Sequence, residues 1–266
     1  MDLHKRCAVQ PGSKVRLQDY DPADTFGQKR SEKALSRTLD RLRELQHLLY
    51  ADKRYALLVI LQALDAGGKD GTIRHVMSGV NPQGCQVYSF KAPTAEELAH
   101  DFLWRIHKET PERGTIGIFN RSQYEDVLIV RVHNLVPREV WHGRYRQINE
   151  FEQMLTENGI TILKFFLHIS KEEQKKRFLA RIQDSSRNWK LSLPDFEERQ
   201  HWDDYIEAYQ DALERCSTKW APWYVVPADH KWFRNYVVAE LVVSALDRMR
   251  LRYPAPTIDI SKVKID

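Results

Sequence analysis

The stretch Leu58-Val59-Ile60-Leu61-Gln62-Ala63-Leu64-Asp65-Ala66-Gly67-Gly68-Lys69-Asp70-Gly71-Thr72 constrains the fold more than any other part of the chain. An apolar run leads into a glycine turn that holds one lysine, and a helical pattern follows. Glycines let backbone N–H groups approach oxygens closely, a helix N-terminus adds partial positive charge, and a lysine adds a full one. Together they form a cradle for phosphate. The match to G-x-x-x-x-G-K-[ST] is imperfect: Ala63 stands where the first glycine belongs, and Asp70 replaces the metal-binding hydroxyl. An ordinary strand–turn–helix connection has similar letters, so this segment does not decide the matter alone.

The rest of the chain supplies a frame for it. Buried strands are expected at Tyr55 to Leu61, Gln86 to Phe90, Thr115 to Phe119, Ile160 to Ile169 and Tyr224 to Val226. Between them lie helical patterns: Thr72 to Ser78, Thr94 to Lys108, Arg138 to Glu157, Lys171 to Gln183, Asp195 to Arg215 and Trp232 to Leu251. Thr94-x-x-Glu97 and Ser170-x-x-Glu173 read as capping boxes. Strands alternating with helices imply an α/β fold with a parallel sheet covered on both faces. In such sheets ligands bind beyond the carboxyl ends of the strands, where the glycine turn lies.

Residues 1 to about 30 are polar, with Pro11-Gly12 and Asp21-Pro22, and read as an extended arm. Leu35, Leu39, Leu42, Leu45, Leu48 and Leu49 then recur at helical spacing, which suits packing on the domain or an oligomer contact. With 266 residues the chain fits one domain, spanning 1–266. Within it, residues 1–54 form the arm and first helix, and 171–215 a lid. The net charge of +4 implies no particular partner by itself. Cys7, Cys85 and Cys216 lie far apart with no C-x-x-C pair, as expected of free thiols in a reducing cytosol. The N-terminus has no apolar signal core, and no run approaches the ~20 apolar residues of a membrane helix. A cytoplasmic protein with no membrane partner is expected.

A second charged cluster follows the third strand: Phe119-Asn120-Arg121-Ser122-Gln123-Tyr124-Glu125-Asp126-Val127-Leu128-Ile129-Val130-Arg131-Val132-His133. Phosphoryl transfer needs both signs of charge there. Carboxylates hold Mg2+, and arginines neutralise oxygens whose charge shifts. A surface Arg121–Glu125 ion pair explains the same spacing, and His133, with no metal partner in view, reads as structural. The fourth strand is followed by a helix with Arg177 and Arg181 on one face, then a polar loop with Arg187, Trp189 and Lys190. A solvated helix face or a basic lid closing over phosphates would both look like this. Near the C-terminus, Pro227 to Asn235 offers groups for a base or ribose. Trp202, Trp220, Trp223 and Trp232 read as packing residues.

Asp65-Ala66-Gly67-Gly68-Lys69-Asp70-Gly71, Phe119-Asn120-Arg121-Ser122-x-Tyr124-Glu125-Asp126-Val127-Leu128 and the lid ending in Trp189-Lys190 together resemble the polyphosphate kinase 2 family, from about Lys14 to the C-terminus. The resemblance implies a P-loop kinase three-layer α/β/α sandwich, similar to thymidylate kinase, with a helical lid. It implies reversible, Mg2+-dependent phosphoryl transfer between inorganic polyphosphate and nucleotides, with Mn2+ a possible substitute. Ala63 and Asp70 match that family's own departures from the general motif. Asn120 with Tyr124-Glu125-Asp126 looks like the class that phosphorylates both AMP and ADP, giving ATP.

On these positions the expected catalytic residues are Asp65, Lys69, Arg121, Glu125, Asp126 and Arg181. Ala66, Gly67, Gly68, Lys69, Asp70, Gly71 and Thr72 would cradle phosphate, with Asn120, Arg121, Arg131, Arg177, Arg181 and Lys190 completing a basic groove for polyphosphate or nucleotide. Asp65, with Glu125, Asp126 or both, would bind the metal. A homo-oligomer, dimer or tetramer, is expected. Two rivals share these features in part: an ATP-dependent nucleoside-monophosphate kinase, and a non-catalytic polyanion-binding module. The paired acids argue against the module, and no nucleic-acid motif appears, so nucleic acid is not an expected partner.

Overall fold

In the computed structural model of the chain, which describes residues 2–186, 188–263 and 265 (the side chain of Lys190 is not among them), the opening apolar run is strand β1, Ala56–Gln62, buried at every position. A strand with no polar face needs neighbours on both edges and cover on both faces. β1 runs parallel to β3 (Ile116–Asn120) on one side and to β4 (Ile160–His168) on the other. β2 (Cys85–Ser89) and β5 (Trp223–Pro227) form the edges, giving the order β2-β3-β1-β4-β5 with every pairing parallel. The expected parallel α/β sheet is present, and each strand lies within two residues of its expected ends.

The helices, in chain order, are α1 (Leu3–Cys7), α2 (Glu32–Asp52), α3 (Lys69–Val76), α4 (Ala95–Leu98), α5 (Trp104–His107), α6 (Ile129–Val132), α7 (Arg138–Glu157), α8 (Lys171–Gln183), α9 (Leu193–Glu198), α10 (Trp202–Cys216) and α11 (Lys231–Arg248). Side-chain alternation along the strands separates the layers. Lys164 and Trp223 face α7 and α10: Lys164 bonds Glu152 and the Cys216 carbonyl, and Trp223 meets Tyr124 edge-on. Phe165 and Tyr224 point the other way, where α1 packs on α11, and α11 packs on α2 and α3. The leucine stripe of α2 packs on the domain. Leu42, Leu45 and Leu49 are buried in the core under α11, and Leu35 and Leu39 are partly buried against it.

Three expectations change. The N-terminal arm is not merely extended: it carries α1, bridges Ala8 to Tyr224, and buries Leu3, Cys7, Val9, Val15 and Leu17. The helix expected over Thr94 to Lys108 is broken. Thr94 and Glu97 form their capping box, but the Asp101 carboxylate accepts from the Leu103 N–H and starts a new turn. The helix expected over Asp195 to Arg215 divides at a 3-10 turn, Arg199–His201. From Trp202 onward α10 is a core helix, burying Ala208, Tyr209, Leu213 and Cys216. The exposed part of the lid is therefore shorter, with Trp189 77% and Leu193 79% exposed. Trp220, expected to pack, is 39% exposed. Among the described residues no helix is long and apolar enough to cross a membrane.

Candidate active site

β1 delivers the chain into residues 63–68, and α3 begins at Lys69, three residues before its expected start. The Gly67 N–H donates to the Leu64 carbonyl at 2.9 Å, folding the loop onto itself. A Cβ on Gly67 would overlap Ala63 and stand 2.7 Å from the Leu64 carbonyl. Ala66 (φ 58°) and Gly68 (φ 104°) hold left-handed backbone. The first-turn amides of α3 have no intrahelical acceptor, and they carry the positive end of the helix dipole. Thr72 differs from its expected role. Its N–H and hydroxyl donate to the Gly68 carbonyl at 2.9 and 3.1 Å, closing the turn instead of facing a ligand.

Sheet register brings the second motif to this loop. Leu61 and Asn120 are partners across β1 and β3, and the Arg121 N–H donates to the Leu61 carbonyl at 3.1 Å. At φ 64° the chain turns at Arg121, whose Nη2 donates to Asp65 Oδ1 at 3.1 Å. Lys69 Nζ curls over the loop to the Ala63 carbonyl at 2.8 Å. Burial, with Arg121 beside it, pushes the Lys69 ammonium below its ordinary range, against the pull of Asp65, Glu125 and Asp70. Burial also works against the Arg121 charge, but Glu125 and Asp65 outweigh it and hold the guanidinium above its ordinary value. Glu125 accepts from Gln62 Nε2 at 3.1 Å. Asp65, Lys69, Arg121 and Glu125 thus share one electrostatic cluster at adjacent strand ends. Asn120 organises its edge, donating from Nδ2 to Asp70 Oδ1 at 2.9 Å and to Ser89 Oγ at 3.3 Å.

The family model described as polyphosphate kinase 2 matches residues 25–254. The chain belongs to the polyphosphate kinase 2 family. It is similar to an AMP/ADP-polyphosphate phosphotransferase of Meiothermus ruber, 50% identical over 266 residues covering 98% of this chain and 100% of the relative. It is also similar to an ADP-polyphosphate phosphotransferase of Rhodopseudomonas palustris, 50% identical over 268 residues covering 95% and 93%. The crystal structure of polyphosphate kinase 2 from Arthrobacter aurescens superposes with a TM-score of 0.93 at 45% identity, covering 98% of this chain and 94% of that one. The chain is therefore a polyphosphate-driven nucleotide kinase with the P-loop kinase-like fold of its family.

Not every expected site residue of this polyphosphate kinase 2 joins the cluster. Gln123–Val127 is a 3-10 helix, in which successive side chains diverge by about 120°. Asp126 accordingly turns away from Glu125. Its carbonyl and Oδ1 accept from Arg144 Nη1 at 3.0 and 3.1 Å, and Arg105 Nη2 lies 3.8 Å from Oδ2. Burial holds the carboxyl up at about 6 despite both arginines. Asp126 is thus a member of a second cluster, not a partner of Asp65. Between them Tyr124 is anchored in the core, donating to Glu152 Oε1 at 2.8 Å and accepting from Lys164 Nζ at 2.9 Å.

The arginines sort in the same way. Arg177 is not open to substrate: Nη1 donates to the Ala66 and Gly67 carbonyls at 2.9 and 3.0 Å, Nη2 to the Ala228 and Asp229 carbonyls, and Nε to Glu173 at 2.9 Å. It braces the phosphate loop from behind. Because Glu173 turns to Arg177, only half of the expected capping box forms, Ser170 Oγ accepting from the Glu173 N–H at 3.0 Å. Arg131 is held by Asp211 at 2.6 Å and Glu207 at 2.5 Å, over the Trp141 ring. Arg181 lies over Phe178, with no carboxylate in ion-pair range among the described residues. Arg187 and the Lys190 side chain lie outside the described residues.

The segment Pro227 to Asn235 stitches β5 to α8, Asp229 accepting from the Ser170 N–H and hydroxyl at 2.8 Å each. His133 is structural, its Nε2 lying 3.0 Å from Glu198 Oε2, which also accepts from Tyr205 at 2.7 Å. That carboxylate ties α9 to α6 and α10. Sequence reasoning missed Gln62 and Gln174, whose Nε2 donates to the Asp65 carbonyl at 2.9 Å. Gln62 carried a signal, a polar side chain closing an apolar strand; Gln174 carried none. A cavity of about 650 Å3 bordered by Arg30, His75, Lys176, His230 and Trp232 takes part of its lining from the Pro227 to Asn235 segment and none from the residues expected to hold phosphate or metal.

Among the described residues no three His, Cys, Asp or Glu side chains form a metal cage. Mg2+ does not need one. It takes one or two carboxylates and completes its shell with water and phosphate oxygens. Asp65 and Glu125, hard oxygen donors flanking the Arg121 guanidinium, fit that demand.

Proposed function

We propose that this polyphosphate kinase transfers the terminal phosphoryl group of inorganic polyphosphate to both ADP and AMP, reversibly and with Mg2+ as its metal. The observation that carries this reading is the single cluster of Asp65, Lys69, Arg121 and Glu125 at the ends of β1 and β3. Acceptance of both nucleotides is supported by the name of the Meiothermus ruber relative and by the Asn120 and Tyr124-Glu125-Asp126 motif.

The acceptor phosphate oxygen is already ionised at neutral pH, so no strong base is required, and positioning with charge neutralisation supplies the acceleration. Lys69 and the first-turn amides of α3 hold phosphate oxygens beside the reacting bond. Arg121 offsets the charge that develops on the transferred group, and Arg181, on α8, adds a second positive charge. Asp65 and Glu125 would hold the metal, which would supply positive charge against the phosphate oxygens. Arg177 keeps the loop in shape.

The test mixes purified protein, Mg2+ and long-chain polyphosphate with ADP or AMP in separate tubes and separates the nucleotides. ATP from ADP, and ADP followed by ATP from AMP, are expected. No product from polyphosphate, with ATP serving as donor to AMP instead, would overturn the reading.

A further inference from the structure

Arg234 sits in the first turn of α11, is 2% exposed, and lies in the Pro227 to Asn235 segment without being among the residues expected to hold phosphate or metal. Its Nε and Nη2 both donate to Asn235 Oδ1, at 3.2 and 2.9 Å, and among the described residues no carboxylate pairs with it. The guanidinium lies against the first turn of α3. A Cβ on Gly68 would overlap Arg234 Nη1 and come within 2.9 Å of Cζ, and one on Gly71 would stand 3.3 Å from Nη2. Arg177 Nη1 is 3.5 Å from the same Gly68 position. Burial and Arg177 pull the Arg234 guanidinium down to about 9.

Three positive sources therefore meet behind the phosphate loop: Arg234, Arg177 and the N-terminal end of α3. Glu173, on Arg177, is the acid that an ion pair brings to them. A buried charge without a counter-charge is costly. Buried, strongly perturbed charges cluster at functional sites, and an anion on the loop would supply the missing counter-charge.

We propose that Arg234 is a positioning residue of the phosphate loop, its charge held against Gly68 and Gly71 so that the first turn of α3 binds a phosphate anion more tightly. This rests on the polyphosphate reading above. Gly68 and Gly71 then serve two ends, admitting the guanidinium on one side and exposing amides to the anion. A packing role predicts something different: loss of Arg234 would weaken the ligand-free fold and leave anion affinity alone.

The test measures inorganic tripolyphosphate binding by calorimetry across a salt series, with ligand-free melting temperatures, for wild type, Arg234→Met, Arg234→Gln and Arg234→Lys. The neutral variants are expected to bind about tenfold more weakly, and the slope of log Kd against log salt should fall by about one. Their ligand-free melting temperatures should equal or exceed that of wild type, and Arg234→Lys should recover affinity to within about threefold, since it keeps the charge. Unchanged affinity and slope in a neutral variant, or a lysine variant as weak as methionine, would overturn the proposal. So would neutral variants that both fail to fold without ligand, because the charge would then serve the fold. Wild-type protein that does not bind tripolyphosphate would instead strike the polyphosphate reading itself.

Discussion

Glu125 and Asp126 are adjacent in the chain, yet they work in different neighbourhoods. Glu125 accepts from Gln62 and shares the field of Asp65, Lys69 and Arg121. Asp126 faces Arg144 and Arg105, with its carboxyl raised to about 6 by burial. The tight turn that carries them is what separates them, because a 3-10 helix advances three residues per revolution. An acidic pair in a motif is thus no evidence for a paired metal site. The same sorting divides the arginines. Arg121 pairs with Asp65 inside the first cluster, and Arg181 meets no carboxylate in ion-pair range among the described residues, whereas Arg131 and Arg177 are held by carboxylates and loop carbonyls outside it.

The largest expected effect breaks the first cluster directly. Lys69→Ala removes the ammonium that curls over the loop and should lower kcat by about 100- to 1,000-fold, the scale of losing one positioned charge donor. Circular dichroism and the melting temperature should stay near wild type. Asp65→Asn and Arg121→Ala should behave alike; full activity in any of the three would remove that residue from the site.

Arg177→Ala sharpens the contrast between bracing and chemistry. It strips donors from buried loop carbonyls and breaks the ion pair with Glu173, so stability should fall by about 3 kcal/mol in urea unfolding. Activity is expected to fall only as the loop loosens. Normal stability with lost turnover would move Arg177 into the chemistry.

The second cluster has a pH signature. Asp126 is held at about 6 in the native protein, above its ordinary 3.8. The folded state thus binds this proton more tightly than the unfolded chain, and ionising the carboxyl costs stability as pH rises through 6. The cost vanishes below about pH 4, where both states are protonated. Relative to Asp126→Asn, wild type should therefore lose about 1–3 kcal/mol between pH 4 and 7. Urea unfolding over a pH series reads this, and a relative gain with rising pH would contradict it. The smallest effect on binding is expected at Arg131, where Arg131→Gln should cost about 1–2 kcal/mol of stability and leave the salt dependence of polyphosphate binding unchanged.

Much of the fold was legible because apolar runs between turn signals have few alternatives in an α/β chain. α7 and α8 match their expected bounds residue for residue: α7 starts directly after Pro137, and the Ser170 side chain caps α8. α1 was not legible: its buried Leu3 and Cys7 have no periodic company and find their partners on α11 and β5. In the site, Asp65, Lys69, Arg121 and Glu125 were readable as strand-end charges, which sheet register brings together. The partners of Asp126, Arg131 and Arg177 were not legible, for a common reason. A charge's partner is chosen by the fold, and Arg131 meets Asp211, and Arg177 the Ala66 carbonyl, across long stretches of chain. Local spacing holds no record of such pairings.

The most direct measurement compares Glu125→Gln with Asp126→Asn in ATP formation from polyphosphate and ADP, at neutral pH with saturating Mg2+. Glu125→Gln is expected to lose about 100-fold or more in kcat, and Asp126→Asn less than about tenfold. Equal losses in the two variants, or the reverse order, would contradict the division of the site into one reacting cluster and one supporting cluster.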